Sequence, residues 1–505
     1  MVNHFLHARL APLALSVALA ATGGAAHAAA TYYVSPSGSD SNTGTSLTAP
    51  WKTINHAAQV ATAGATVNVR AGSYNEIVNV ANSGSASGGF ITFQPYGSEA
   101  AVLDGTGVSC CGGDMVGFFN IASKSYVIVK GFEMRNLHAT AASSEPSGVT
   151  ITGSGSNVQV LDNRIHDIGI TTALEKKNGN AHGIVVYGTA TTPYSAVTIS
   201  GNEVWNMKTG WSETVTFDGN VTNFTASNNV IHDNDNIGLD CIGFEGTGPS
   251  GHDQANNGVF SGNVIYNITS ASNGAYAGDR SADGLYCDGC TNVLIERNLV
   301  YSTDLGLEAT SETKGKTGSY VTVRDNIFYD SYQADISIGG YATSAGGSDH
   351  VTMVNNTLYE PASAVGSALQ VQYHATNNVF ENNVVYVSNT APILKYFATD
   401  TSNAIVMDYN DYDSSGANAT WLWKNKTYTG LGAFQSTASG APGQEAHGKY
   451  ADPLFANLAG HDFHVAATSP AVGAGSNLGA SVVGTLDFAG GPRVVNAIDI
   501  GAYER

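Results

Sequence analysis

The sequence predicts an all-β fold: a single-stranded right-handed parallel β-helix, a solenoid with a short capping helix near its N-terminus. Three observations carry that prediction. First, a phrase of Asn, one variable residue, an apolar residue and a closing aromatic or histidine recurs at Asn163, Asn202, Asn229, Asn263, Asn298, Asn326, Asn356 and Asn383. Its spacings are 39, 27, 34, 35, 28, 30 and 27 residues, the length of one coil of three short strands with occasional insertions. Second, apolar and polar residues alternate within the copies, as in Val321-Thr322-Val323 before Asn326, which is strand periodicity. Third, Gly numbers 59 of 505 residues without a Gly-x-y period, which excludes collagen and marks many turns.

From the N-terminus, residues 1–28 read as a secretory signal. Arg9 precedes an apolar run from Leu10 to Ala21, too short for a spanning helix, and Ala26-His27-Ala28 offers a small-x-small cleavage site. The mature protein is then expected outside the cytoplasm, secreted or periplasmic, without a membrane anchor. Residues 29–505 read as one β-helix domain, expected to be a monomer. An open coil exposes a sheet edge and needs covering. Ile54 to Ala61 has a short helical pattern suited to the first coil. At the other end, Asp452-Pro453-Leu454-Phe455 and Asp499-Ile500-Gly501-Ala502-Tyr503-Glu504 read as irregular coils finishing the core. Residues 415–450, rich in Gly, Ser, Ala and Thr, read as a loop or lateral excursion.

Within the solenoid, a buried Asn at each turn satisfies backbone groups of the neighbouring coil and stacks on the next Asn, so these residues are expected to be structural. Lys plus Arg total 21 against 41 Asp plus Glu, a formal charge of −20, which argues against a nucleic-acid partner. Five cysteines leave at least one unpaired or all reduced. Cys287-x-x-Cys290 has no second ligand pair, so a structural bridge, with Cys241 and Cys287 on neighbouring coils, is preferred over metal or redox chemistry.

Tyr32-Tyr33-Val34-Ser35-Pro36-Ser37-Gly38-Ser39-Asp40, Pro50-Trp51-Lys52-Thr53-Ile54 and Gly72-Ser73-Tyr74 resemble the opening of secreted right-handed β-helix proteins, among them the family-nine pectate lyases. With the Asn repeat and the Asp-Ile-Gly-Ala-Tyr-Glu ending, the resemblance covers nearly all of the mature chain and implies a polysaccharide-acting β-helix. In that family an Ala-Asp-Gly segment and an Asp-Asp-Gly-Trp-Asp segment on the next coil hold calcium. Ala282-Asp283-Gly284 matches the first, and Asp304-Leu305-Gly306-Leu307-Glu308 matches the second in part, with Leu305 in place of one ligand. Ser337 stands where the family's lysine base would be. Glu308 to Lys314 also resembles the Glu-to-Lys segment of the chondroitinase-B and alginate-lyase family, whose next-coil arginine is absent here.

The resemblance implies a polysaccharide substrate and a calcium-assisted β-elimination on a uronate-containing glycan. Ca2+ would be held by Asp283, Asp304 and Glu308, with Lys314 as base and Arg280 or Arg324 stabilising the developing charge. From the residues themselves, Glu213 and Asp240 fall eleven positions after their coil's Asn and Glu308 ten, so they are expected to share a column or nearly so. A glycoside hydrolase reads the same face without a lysine. It needs two carboxyls, roughly 5 Å apart to retain or 6.5–9.5 Å to invert, and Asp240 with Glu308, or Asp283 with Asp288, would supply them. His182, in Ala-His-Gly-Ile, is a candidate cleft residue or a turn histidine. A non-catalytic carbohydrate-binding or adhesin-like β-helix is the third reading.

Overall fold

The computed structural model describes residues 29–398, 404–414 and 419–505; the signal segment expected at 1–28 lies outside the described residues. The chain winds into a parallel β-helix whose strands stack into three long sheets, one of 18 and two of 13 strands. One coil runs through Leu305–Thr310, Thr317–Arg324 and Ile327–Tyr329 before Ala334–Ile338 begins the next. Parallel crossovers of this kind wind right-handed.

The corner between the second and third strand of each coil explains the Asn repeat. The residue before each ladder Asn takes a left-handed conformation, as at Asp162, Asn228, Asp325, Asn355 and Asn382, which turns the chain sharply. The Asn side chain then enters the corner. Its Oδ1 accepts from the backbone N–H of the preceding coil's Asn, at 3.0 Å for Asn163 to Asn202 and 2.9 Å for Asn263 to Asn298. Its amide also donates to a carbonyl of the preceding coil, as Asn298 does to Phe260 at 3.0 Å. Asn410 adds a ninth member, and Glu445 closes the series by accepting from the Asn410 amide at 2.7 Å. The aromatic or histidine ending each phrase stacks outside: His232, Tyr266, Tyr301 and Tyr329 lie with ring centroids 4.8–5.0 Å apart.

The N-terminal cap forms over Ile54–Val60, one residue shorter than expected, with the Thr53 hydroxyl accepting from His56 N–H at 3.1 Å. The other end differs from expectation. Residues expected to form an excursion supply an end cap: Thr420–Trp423 and Lys426–Thr429 pair antiparallel, and Trp421 and Phe434 fill the last coil's interior. Antiparallel pairing stops edge-to-edge growth of the parallel sheet. The C-terminal residues do not finish the core as coils. They run back along the flank, where buried Arg493 pairs with Asp325 at 3.0 Å and Glu504 at 2.9 Å, and Asp499 O accepts from Asn355. A bridge between Cys241 and Cys287 is also absent: they are register partners with sulfurs 3.5 Å apart, and Cys241, Cys287 and Cys290 are free. The one disulfide among the described residues joins Cys110 and Cys111.

Replacing Asn298 by Ala removes the acceptor of two Asn263 donors and leaves the Phe260 carbonyl without its amide. Each orphaned buried group costs about 1–3 kcal/mol. Asn298→Ala is therefore expected to lower the urea midpoint substantially, while Lys176→Ala, on the exposed surface, changes it little.

Candidate active site

The site lies on the outer face of the 13-stranded sheet that includes Val215–Gly219, Leu239–Ile242, Asp283–Asp288, Leu305–Thr310 and Ala334–Ile338. At the corner entering three of these strands the backbone passes close to the neighbouring coil, and glycine stands there, at Gly238, Gly284 and Gly306. A Cβ on Gly284 would meet the Val300 side chain at 2.5 Å, and one on Gly238 the Gly284 carbonyl at 2.7 Å. Glycine at this corner lets the preceding side chain, Asp283 or Ile237, turn outward while Leu285 and Leu239 two residues beyond it turn in. That is the physical content of the Ala-Asp-Gly segment.

Register then fixes which side chains share a column. Thr216, Asp240, Tyr286, Glu308, Ser337 and Gln370 follow one another in a single column. Asp240 and Glu308 share it as expected, two coils apart with Tyr286 between them. Glu213 does not. It precedes Val215 by two positions and lies at the corner beside His182, whose Nδ1 donates to the Glu213 carbonyl at 3.0 Å. Above these columns opens a cleft of about 550 Å³, lined by seven carboxylates: Glu213, Asp240, Glu245, Asp283, Asp288, Glu308 and Glu312. Trp211, Tyr276, Tyr286 and Tyr341 supply its aromatic surface, with Gln333 and Gln372 at one end. Among the described residues no lysine, arginine or histidine lines it.

The carboxylates sit in unlike surroundings. Both Asp240 oxygens lack a partner and the residue is 1% exposed. Burial, then the charges of Glu213 and Asp288, push its carboxyl well above the usual range. Burial raises Glu308 to about 7, held down by hydrogen bonds from Ser337 Oγ at 2.9 Å and Gln372 Nε2 at 2.7 Å. Glu213 is raised to about 8, chiefly by burial and then by neighbouring acids. Asp283, with Oδ1 unpartnered, is raised by burial and by Glu308. Asp288 is raised by burial and Glu312, although its Oδ1 accepts from the Glu312 N–H at 2.7 Å. Burial lowers His182 to about 4, so it is neutral.

Several expected site residues lie elsewhere. Asp304 is wholly buried beneath the floor: its oxygens accept from Arg280 Nε at 2.7 Å and from Ser270 N–H at 2.8 Å, fastening the 270–282 loop. Arg280 is thereby committed, with its guanidinium 3.8 Å from the Tyr332 ring centroid. Arg324 belongs to another sheet and grips Glu296 at 2.6 Å. Lys314 is exposed on the loop after Glu312 and does not line the cleft. The calcium cage expected from Asp283, Asp304 and Glu308 does not assemble. The one group of three or more ligand-type side chains within 4.8 Å among the described residues is Cys241, Cys287 and Cys290. Glu245, Glu312, Trp211, Tyr276, Tyr286, Tyr341 and Gln372 escaped the sequence reading. Tyr286 carried a usable signal, since it lies in the Ala282–Asp288 segment beside Asp283, whereas Gln372 falls 16 positions after Asn356 and Glu308 only 10 after Asn298, so counting from the Asn does not find it.

Fold and cleft together define a right-handed parallel β-helix of the pectin-lyase-like class. Residues 32–192 match the family model described as Pel9A-like, right handed beta helix region. Pectate lyase PEL9 of Emericella nidulans is 30% identical over 131 residues, 26% of this chain and 32% of its own. YwoF of Bacillus subtilis (strain 168), an uncharacterized protein, is 34% identical over 441 residues, 87% of this chain and 91% of its own. The chain belongs to the same family as YwoF. Among solved structures, the complex of XylC with xylose shares the fold at TM-score 0.52 and 12% identity, covering 94% of this chain and 98% of that one. No helix among the described residues is long and apolar enough to cross a membrane.

Acids raised by folding bind protons that the unfolded chain has lost, so their contribution to stability is present below about pH 4 and fades as pH rises through the folded values. With Glu308 near 7 and Glu213 near 8, thermal midpoints are expected to fall between pH 5 and pH 8. Asp240→Asn, which mimics the protonated acid, should raise the midpoint at pH 8 and flatten that slope in calorimetry.

Proposed function

We propose that this protein is an exported glycoside hydrolase that inverts configuration, with Asp240 as the proton donor and Glu308 as the base. The observation that carries the reading is two carboxyls in one column whose surroundings divide the roles. Asp240 is buried, unpartnered and strongly raised, the state of an acid that keeps its proton at neutral pH. Glu308, raised only to about 7, accepts two hydrogen bonds that stabilise its ionised form. Two coil steps of about 4.8 Å separate their backbones by about 9.6 Å, at the outer limit of the roughly 6.5–9.5 Å between carboxyls that inversion uses to admit a water molecule.

In the reaction, Asp240 gives its proton to the glycosidic oxygen as the bond from that oxygen to the anomeric carbon breaks. Glu308 takes a proton from the water whose oxygen bonds to the opposite face of that carbon. The products carry a reducing end and a hydroxyl, and proton exchange with solvent returns both carboxyls to their starting states. Tyr286 separates the pair, its hydroxyl donating to Glu312 at 3.2 Å. Elimination has less support, because it needs a base and a cation beside the uronate. Ser337 occupies the lysine's expected place and Lys314 is outside the cleft.

Digestion of a glycan panel should give saturated products, without absorbance from an unsaturated end, and the rate should be unchanged by a calcium chelator. Glu308→Gln is expected to lower kcat by about 10²–10⁴, while Lys314→Ala leaves it unaltered. Unsaturated products that depend on calcium and on Lys314 would return the assignment to elimination.

A further inference from the structure

We infer that the glycan taken by this cleft carries protonated amino groups, so that its substrate class is a hexosamine polymer with free amines. The sugar half of the inference rests on the hydrolase reading of the same cleft; the ammonium half rests on charge and hydrogen-bond geometry. The lining carboxylates occur on four successive coils: Glu213, then Asp240 and Glu245, then Asp283 and Asp288, then Glu308 and Glu312. Two are engaged in the proposed chemistry, which leaves five without a lining cation among the described residues.

Glu245, Asp288 and Glu312 each accept a hydrogen bond, from the Thr313 hydroxyl, the Glu312 N–H and the Tyr286 hydroxyl, but the deepest of the five is not satisfied by the protein. Asp283, 3% exposed, leaves Oδ1 without any partner, and beside it Asp240 leaves both oxygens so. Nearby cations are turned to other work: Arg280 to Asp304, and Lys316 over the Phe244 ring at 4.8 Å. A polyuronate would set its own carboxylates against this row. A neutral chain would offer the acids hydroxyl donors but no compensating charge. An ammonium brings three N–H donors and the compensating charge together, the strong form of hydrogen bond.

The remaining surface suits pyranose rings. Trp211, 46% exposed, stands near the Glu213 end with its ring 4.7 Å from Tyr276, and Tyr341, 59% exposed, stands at the end beyond Ser337. Aromatic faces at the rims accept sugar C–H edges and attract cations. The coil step of about 4.8 Å is close to the length of one pyranose unit. A chain lying along the helix axis therefore meets fresh carboxylates at each sugar.

The test is calorimetric binding of soluble oligomers to the Glu308→Gln protein, which turns them over about 10²–10⁴-fold more slowly. De-N-acetylated hexosamine oligomers, their N-acetylated counterparts, neutral hexose oligomers and oligouronates form the panel. The free-amine series is expected to bind at least tenfold tighter than the acetylated one, to weaken with salt, and to release protons at pH 7 in buffers of different ionisation enthalpy. Glu245→Gln in the otherwise native enzyme should raise KM for the free-amine substrate several-fold, a readout that holds if Glu308→Gln fails to fold. Equal or tighter binding of acetylated, neutral or uronate oligomers overturns the inference. If the native enzyme then hydrolyses a neutral glycan, the hydrolase reading survives that result. If free-amine oligomers bind as expected but are not cleaved, the substrate class stands and the hydrolase reading falls.

Discussion

Everything in this molecule hangs on the corner where an Asn side chain replaces the backbone partners lost when the chain turns. A parallel strand pair fixes the spacing of neighbouring coils but not their rotational alignment. The Asn does the second job, because its Oδ1 must meet one particular N–H of the coil before it and its amide one particular carbonyl. A slip by one residue would orphan these groups and move every outward side chain into the core. Nine such corners, closed by Glu445, hold the columns in line. The cleft is therefore built on a floor whose register is set by hydrogen bonds on a different corner of the coil.

This explains why the fold was legible and the site only half so. The ladder writes itself into sequence as a spaced Asn with an αL-tolerant residue before it, and the eight copies from Asn163 to Asn383 are enough to name the architecture. Asn410 was missed because its phrase, Asn410-Asp411-Tyr412-Asp413, ends on an acid and buries its tyrosine against Glu445. Counting from the Asn placed Asp240 and Glu308 in one column. It failed for Glu213 because the chain between Asn202 and the next outer strand is longer: the column member there is Thr216, 14 positions after Asn202, where Asp240 is 11 after Asn229. Loops that depart from the repeat carry no register, so Asp304 read as a ligand when its position before Leu305 turns it beneath the floor. Lys314, near Glu308 in sequence, is carried off by the same freedom. The end cap was illegible for another reason: Trp421 and Phe434 sit in a stretch whose composition is that of a loop.

The electrostatics of the cleft follow from the same geometry. Stacking coils bring outward side chains as close as strands allow, and the acids on successive coils are largely withdrawn from bulk solvent. They hold protons at pH values where free carboxyls would be ionised, as the values near 7 and 8 for Glu308 and Glu213 express. Such a floor stores protons within reach of whatever lies in the cleft. It also makes the cleft a demanding host, since any ligand that covers it must answer for the charge it encloses.

The C-terminal strap has a consequence for the order in which the protein is made. Arg493 holds Asp325 across 168 positions of sequence, and Asp499 receives the Asn355 amide across 144. A chain threaded N-terminus first can lay its coils one upon another as they emerge, each templated by the one before. The flank of those coils stays open until residues made far later return to cover it. Assembly is thus zipped from one direction and fastened from the other. Once the strap is down, the coils from Asp325 to Asn382 cannot peel away singly: they must first be released by the segment that arrived last.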